Sequence, residues 1–155
     1  MPASLHILYA STSGHTEFVV ETLRDFLHAR KPDLSVEVLR IEKAQAEDLT
    51  KGDVLILASS TWNTGGPEGQ LNPHMHAFVT GRAKDAKLGG KTVAVIGLGD
   101  DRYHYTCRAA EHLENFVKGH GGKLLEPTLR IINEPYGQED VVQEWGSGLL
   151  KFLKK

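Results

Sequence analysis

The chain has 155 residues, 40% of them apolar, which sizes it for one ordinary globular domain spanning residues 1–155. Basic side chains number 18 against 20 acidic, a formal charge of −2 that is too balanced to argue for nucleic acid or an anionic membrane as partner. A single cysteine, Cys107, excludes a disulfide framework and dithiol chemistry, so any redox function needs a cofactor. The sequence carries neither a long apolar span nor a basic, apolar leader, and the expectation is a soluble cytoplasmic protein without a membrane segment.

"LHILYA" (Leu5 to Ala10) is a nearly continuous apolar run, the pattern of a strand buried on both faces of a parallel sheet. After "STSGHT", Val19, Leu23, Phe26 and Leu27 recur at i, i+4, i+7 and i+8, the buried face of a helix. "LSVEV" alternates Leu34, Val36 and Val38 with polar residues and reads as an edge strand. "VLILA" (Val54 to Ala58) is a second buried strand, followed by the turn-rich "SSTWNTGGPEGQ". Asn72 and Pro73 then read as the N-cap and first position of a helix, on which His74 and His76 point to different faces and do not share a metal. Arg82, Lys84, Lys87 and Lys91 form a basic stretch that reads as a solvated connection. "TVAVIG" (Thr92 to Gly97) is the third central strand, followed by "GLGDDRYHYTC". Ala109, Leu113, Phe116 and Val117 form another helix face that "GHGG", from Gly119, brings to an end. "LLEPTLRII" contains Pro127 and belongs at a sheet edge, and Val142, Trp145, Leu149 and Phe152 mark a final helix.

Alternating strands and helices define α/β order, and edge character in the second and fifth strands predicts a doubly wound five-stranded parallel sheet, order 2-1-3-4-5, with helices on both faces. In such sheets a ligand sits outside the carboxyl ends of the strands, at the switch point between the first and third. The loops that reach this place are "STSGHT", "SSTWNTGGPEGQ" and "GLGDDRYHYTC".

The first of these precedes a helix start, so backbone N–H groups and the positive end of the helix dipole converge there, and an anion fits. Ser11, Thr12, Ser13 and Thr16 offer hydroxyl donors, and Gly14 allows close backbone approach. The residue three after Ser13 is Thr16 rather than Glu or Gln, so no capping box satisfies the helix start from within. The absence of a GxxxxGK[ST] lysine points to a terminal monophosphate rather than a nucleoside triphosphate. Read alone, the loop is equally an ordinary serine and threonine turn. The other two loops place Trp62 and Tyr103 beside it, flat side chains suited to holding a flat ring between them. Asn63, Thr64, Gly65, Gly66 and Pro67 are turn residues expected to keep Trp62 near the surface. Asp100 and Asp101 either meet polar ring edges or cap the following helix.

From end to end these residues resemble a short-chain flavodoxin. "STSGHT" is similar to the family's phosphate loop, [ST]xTGxT, with Ser13 where threonine is common and His15 in the variable place. The resemblance implies FMN, with residues Ser11, Thr12, Ser13, Gly14, His15 and Thr16 around its phosphate, Ser60 and Thr61 near the ribityl chain, and Trp62 and Tyr103 stacking on the ring. It further implies cofactor contacts at Asn63, Thr64, Gly65, Gly97, Leu98, Gly99 and Tyr105, with Asp100 and Cys107 near the pyrimidine edge and the Asn63–Thr64 peptide turning over with redox state. Gly122 and Ile132 are too close for the insertion of long-chain members.

No constellation in these loops would act on a substrate, so the leading expectation is a monomeric, low-potential FMN electron carrier rather than an enzyme. Its partners would be a flavodoxin reductase and acceptor enzymes. The alternatives are an NAD(P)H-dependent FMN or quinone reductase of the same fold, and a dedicated accessory flavoprotein. Two features depart from the family. The tryptophan loop carries only Glu68 and the chain is near neutral. Removing one carboxylate about 10 Å away at an effective dielectric near 20 is worth roughly 1.7 kcal/mol, or about 70 mV, which predicts a less negative second potential. His15 either lends positive charge to the phosphate or faces solvent.

Overall fold

The computed structural model describes residues 3–63, 68–102 and 106–153. Five long parallel strands, β1 (Ser4–Ala10), β2 (Ser35–Arg40), β3 (Val54–Trp62), β5 (Thr92–Gly99) and β6 (Lys123–Ile132), lie in the order β2-β1-β3-β5-β6. This is the doubly wound 2-1-3-4-5 order. A sixth strand was not foreseen: β4 (Gln70–Leu71) pairs antiparallel with the end of β3, Thr61 opposite Leu71 and Trp62 opposite Gln70. β3 outruns its apolar stretch because Ser59 to Trp62 continue the extended backbone past Ala58.

The pleat sends alternate side chains to two cores. Leu5, Ile7, Tyr9, Val54, Ile56, Ala58, Ala94 and Ile96 face one side. There α1 (His15–Arg30) contributes Val19, Val20, Leu23 and Leu27, and α4 (Glu139–Leu153) contributes Val142 and Leu149. Leu8, Ala10, Leu55, Leu57, Val93 and Val95 face the other side. That side is covered by α2 (Pro73–Ala77), through Met75, and by α3 (Arg108–Gly119), through Ala109, Leu113, Phe116 and Val117. Each buried Leu, Ile or Val is worth about 1.5–3 kcal/mol, so the two-sided burial of β1, β3 and β5 makes them the rigid centre. Phe26, Trp145 and Phe152 are only partly buried, at the margins of their stripes.

Gly97 sets the approach of α3 to the sheet. A Cβ there would lie 2.7 Å from the Ala110 Cβ and 2.8 Å from the Ala110 nitrogen, so the helix packs directly on the β5 backbone. The basic stretch is more than a solvated connection. The Arg82 guanidinium donates to the carbonyls of Ala44 and Ile41, each at 2.9 Å, and the Lys91 ammonium donates to those of Thr50, at 3.0 Å, and Gly52. These two side chains tie the irregular segment after β2 to the one before β5, while Lys84 and Lys87 are exposed. Pro127 lies in the edge strand β6, and its carbonyl accepts from the Trp145 indole at 2.7 Å.

Candidate functional site

A cleft of about 650 Å³ opens at the carboxyl ends of β1, β3, β5 and β6, within the size range of cofactor sites. Thr12, Ser13 and His15 form one wall, Ser60, Thr61, Trp62 and Asn63 a second, and Leu98 to Arg102 a third. Asn133 and Glu134, from the segment after β6, close the fourth side and were not foreseen.

The first wall is built on α1. Gly14 sits just ahead of the helix at φ 92°, the left-handed region that favours glycine, and a Cβ there would meet nothing within 4 Å. Within the protein its requirement is therefore conformational, and the side toward which a Cβ would point is open. Ser11, 4% exposed, lies beneath the loop and its Oγ accepts from the amides of Gly14 at 3.1 Å and Glu17 at 3.4 Å. Ser11, three residues ahead of Gly14, thus supplies part of the cap that no capping box offers. The amides of His15 and Thr16 belong to the first turn, where no intrahelical acceptor exists. The Thr16 hydroxyl is buried at 1% residue exposure and has no hydrogen-bond partner. A buried polar group in that state costs stability unless something else satisfies it. The His15 ring meets Tyr136 edge-on at 5.5 Å, and Tyr136 in turn packs on Phe18 at 4.8 Å, so His15 has an aromatic neighbour as well as its place on the cleft wall.

Two residues hold this loop in place, and sequence reasoning gave neither of them that role. Asn72 is the expected N-cap, its Oδ1 accepting from the His74 amide at 2.9 Å. It is also fully buried, and its Nδ2 donates to the Thr12 hydroxyl at 2.9 Å and to the Ser60 hydroxyl at 3.3 Å, joining the first wall to the second. At the end of β2, Arg40 donates to the Ser11 carbonyl at 2.6 Å and to the Glu17 carboxylate at 2.8 Å. The signal for Asn72 was the Asn-Pro pair of a helix start, which speaks only for the cap; Arg40 had no local signal for its hold on the loop, since Glu17 and Ser11 lie 23 and 29 residues away.

Thr61 donates to the Leu98 carbonyl at 2.7 Å and accepts from the Ala109 amide at 3.0 Å, locking β3 to β5 and to the start of α3. Trp62 is half-buried within a strand rather than carried by turn residues. The Asn63 side chain closes the hairpin by accepting from the Gly69 amide at 2.9 Å, and His112 of α3 meets the Gly69 carbonyl at 2.7 Å. Thr64, Gly65, Tyr103 and Tyr105 lie outside the described residues.

On the third wall the Arg102 guanidinium grips Asp100 in a fork, Nε at 2.9 and 3.0 Å and Nη2 at 2.5 Å, and holds its carboxyl below the usual range. Asp101 is held by Asn133, which donates to its carboxylate at 3.0 Å and accepts from its amide at 3.1 Å. Of the expected residues, Ser11, Gly14, Thr16, Gly97 and Cys107 stand away from the cleft lining. Gly97 is covered by Ala110, and Cys107 is the N-cap of α3, where burial pushes its thiol up to about 11. The reason is the path of the chain: the Thr106 carbonyl fills the space where a Gly99 Cβ would stand and accepts from the Asp100 amide at 2.9 Å.

Fold and cleft together define a doubly wound α/β protein with an anion-accepting helix start at the β1/β3 switch point. The family profile described as Flavodoxin matches residues 7–145. The flavodoxin of Maridesulfovibrio salexigens is 31% identical over 144 residues, covering 92% of this chain and 94% of its own. The flavodoxin of Nitratidesulfovibrio vulgaris is 31% identical over 153 residues, covering 97% and 99%. Among solved structures, oxidised flavodoxin 2 from Bacillus cereus matches with a TM-score of 0.85 at 29% identity, covering 96% of this chain and 99% of the other. The chain belongs to the flavodoxin family. It is an FMN-binding electron-transfer protein rather than an enzyme, and the reductase alternative is not favoured. No helix among the described residues is long and apolar enough to cross a membrane.

Proposed function

We propose that the cleft holds FMN with its phosphate on the Thr12–Thr16 loop and its ring toward Trp62, and that the protein passes single electrons between a reductase and acceptor enzymes as a cytoplasmic monomer. The observation that carries the reading is the buried, partnerless Thr16 hydroxyl beside the His15 and Thr16 amides that open α1: an anion at that point would satisfy these donors at once. The donor set fits a phosphate, being hydroxyls and amides with no lysine. Bound flavin supplies the electron chemistry; the protein orients it and fixes its electrostatic surroundings.

The residues divide the work. Ser13, Thr12 and His15 face the phosphate, with Asn72 and Arg40 behind them keeping the loop in register. Ser60 and Thr61 lie along the path of the ribityl chain, Thr61 with its hydroxyl already committed to the backbone. Trp62 shields one side of the ring from water. Asn63 anchors the hairpin through Gly69, so a turnover of the peptide that follows it would be confined to the residues between those two anchors.

Comparison of FMN with riboflavin tests the phosphate assignment, because only FMN brings the anion. FMN is expected to bind at least 100-fold more tightly, about 2.7 kcal/mol, as charge-assisted hydrogen bonds of about 1.5–3 kcal/mol each imply. Equal affinities would remove phosphate from the first loop. An anaerobic reductive titration followed in the visible spectrum tests the carrier role: reduction in two separated one-electron steps supports it, and one concerted two-electron step refutes it.

A further inference from the structure

We propose that Arg102 compensates charge on the cleft wall: it neutralises Asp100, so that the negative charge arriving on bound FMN with the second electron meets a neutral pair rather than a bare carboxylate. The inference rests on the FMN reading of the cleft. Asp100, Asp101, Arg102 and Glu134 all line that cleft, so among the described residues its wall carries three carboxylates and one guanidinium. Arg102 donates to both Asp100 oxygens, and its own amide donates to Asp100 Oδ1 at 2.9 Å, which keeps the pair together on the wall. Asp101 is held by the uncharged Asn133, which leaves its negative charge in place.

The consequence is directional. A cation near the ring favours the more negative redox state, and the first electron, which need not add charge if a proton accompanies it, is affected much less. Arginine suits the task because it stays protonated at every pH the protein meets. The Arg102 side chain is 77% exposed, so solvent limits the size of the effect.

The experiment measures both one-electron potentials of the FMN-loaded protein and of the variants Arg102→Gln, Arg102→Lys and Asp100→Asn. In Arg102→Gln the second step is expected to become more negative by the equivalent of about a three- to tenfold loss in relative affinity, about 28–59 mV for one electron, with the first step nearly unchanged. Arg102→Lys retains most of the native value, Asp100→Asn shifts the second step the other way, and added salt erodes both differences. The proposal is overturned if Arg102→Gln leaves the second step in place or moves both steps equally. It is overturned too if Arg102→Lys behaves like Arg102→Gln, because the fork's role would then be to shape the turn. Failure of the native chain to bind FMN would bring down the cleft reading together with this one; binding without the shift brings down Arg102 alone.

Discussion

Replacing Asn72 separates the support of the phosphate loop from the loop itself. The side chain is fully buried and serves three elements at once: it caps α2 through His74 and donates to Thr12 and Ser60. In Asn72→Ala, loss of the cap costs about 1 kcal/mol, and two lost donations to hydroxyls add about 0.5–1.5 kcal/mol each. The sum is about 2–4 kcal/mol, which for a chain of this size lowers Tm by about 5–15 °C without cofactor. Asn72→Asp keeps the acceptor for His74 and nearly the same volume, but it has no donor for Thr12 or Ser60 and buries a carboxylate, so its apoprotein should also melt below the native chain. It further brings a negative charge to the back of the phosphate loop. A like charge within about 10 Å at an effective dielectric near 20 costs roughly 1.7 kcal/mol, so FMN affinity should fall about 15- to 20-fold. Thermal melts of the apoproteins and fluorescence titration with FMN measure the two effects independently. An Asn72→Ala apoprotein with an unchanged Tm, or an Asn72→Asp protein with unchanged FMN affinity, would refute the bridging role.

Thr16→Val removes a buried hydroxyl that has no partner in the protein, so the apoprotein should be as stable as the native chain or more so, while FMN affinity falls at least tenfold; calorimetry with and without FMN reads both. Gly97→Ala places a Cβ against Ala110 and should cost about 2–3 kcal/mol in urea unfolding, whereas Gly14→Ala meets no neighbour and should cost only the left-handed strain of about 1–2 kcal/mol. His6 is buried, its ring nitrogens 3.5 Å from Glu37 and 3.8 Å from Asp48, with neither nitrogen hydrogen-bonded. Burial lowers its pKa, and Lys51 and Lys91 act in the same direction against the opposing pull of Asp48 and Glu37. Below about pH 6.5 the unfolded chain therefore binds the His6 proton more readily than the native one. Stability should be full above that value and decline as pH falls from about 6.5 through the lower native pKa. His6→Leu should abolish that part of the acid limb in urea melts at stepped pH; an unchanged limb would show that His6 does not titrate on unfolding.

The sheet order was readable because continuous apolar runs and alternating runs report two-sided and one-sided burial directly, and Pro127 could lie only at an edge. The ends of the strands were less legible. Ser59, Ser60 and Thr61 are polar, so hydrophobic periodicity stops at Ala58 although the backbone continues as strand and folds back through β4. Gly97 illustrates a different limit. A glycine in the right loop looks like a place where a ligand approaches, but the approaching atoms here belong to α3, which one-dimensional spacing does not place. Asn72 was found as a cap from the Asn-Pro pair, since caps are local; its links to Thr12 and Ser60 span 60 and 12 residues and exist only after folding.

Charge was where composition misled most. A balanced total suggests a weakly charged site, yet that total also counts lysines far from the cleft in sequence and ion pairs on α1. The cleft itself gathers Asp100, Asp101 and Glu134 on one side, with Arg102 the cation fixed to the first of them. Effective field at the cofactor depends on such distances far more than on a sum over the chain, because charges beyond about 10 Å are largely screened at physiological salt. The same reasoning gives Arg40 a different part from Arg102. Its guanidinium is spread over the Ser11 carbonyl, Glu17 and Glu42, so its charge is already answered and its contribution is geometric: it keeps the loop's first carbonyl turned away from the anion. Arg40→Lys, which keeps the charge and loses the three-way geometry, should therefore weaken FMN binding severalfold while leaving the spacing of the two redox steps unaltered. A change in that spacing without a change in affinity would show that Arg40 acts through its field.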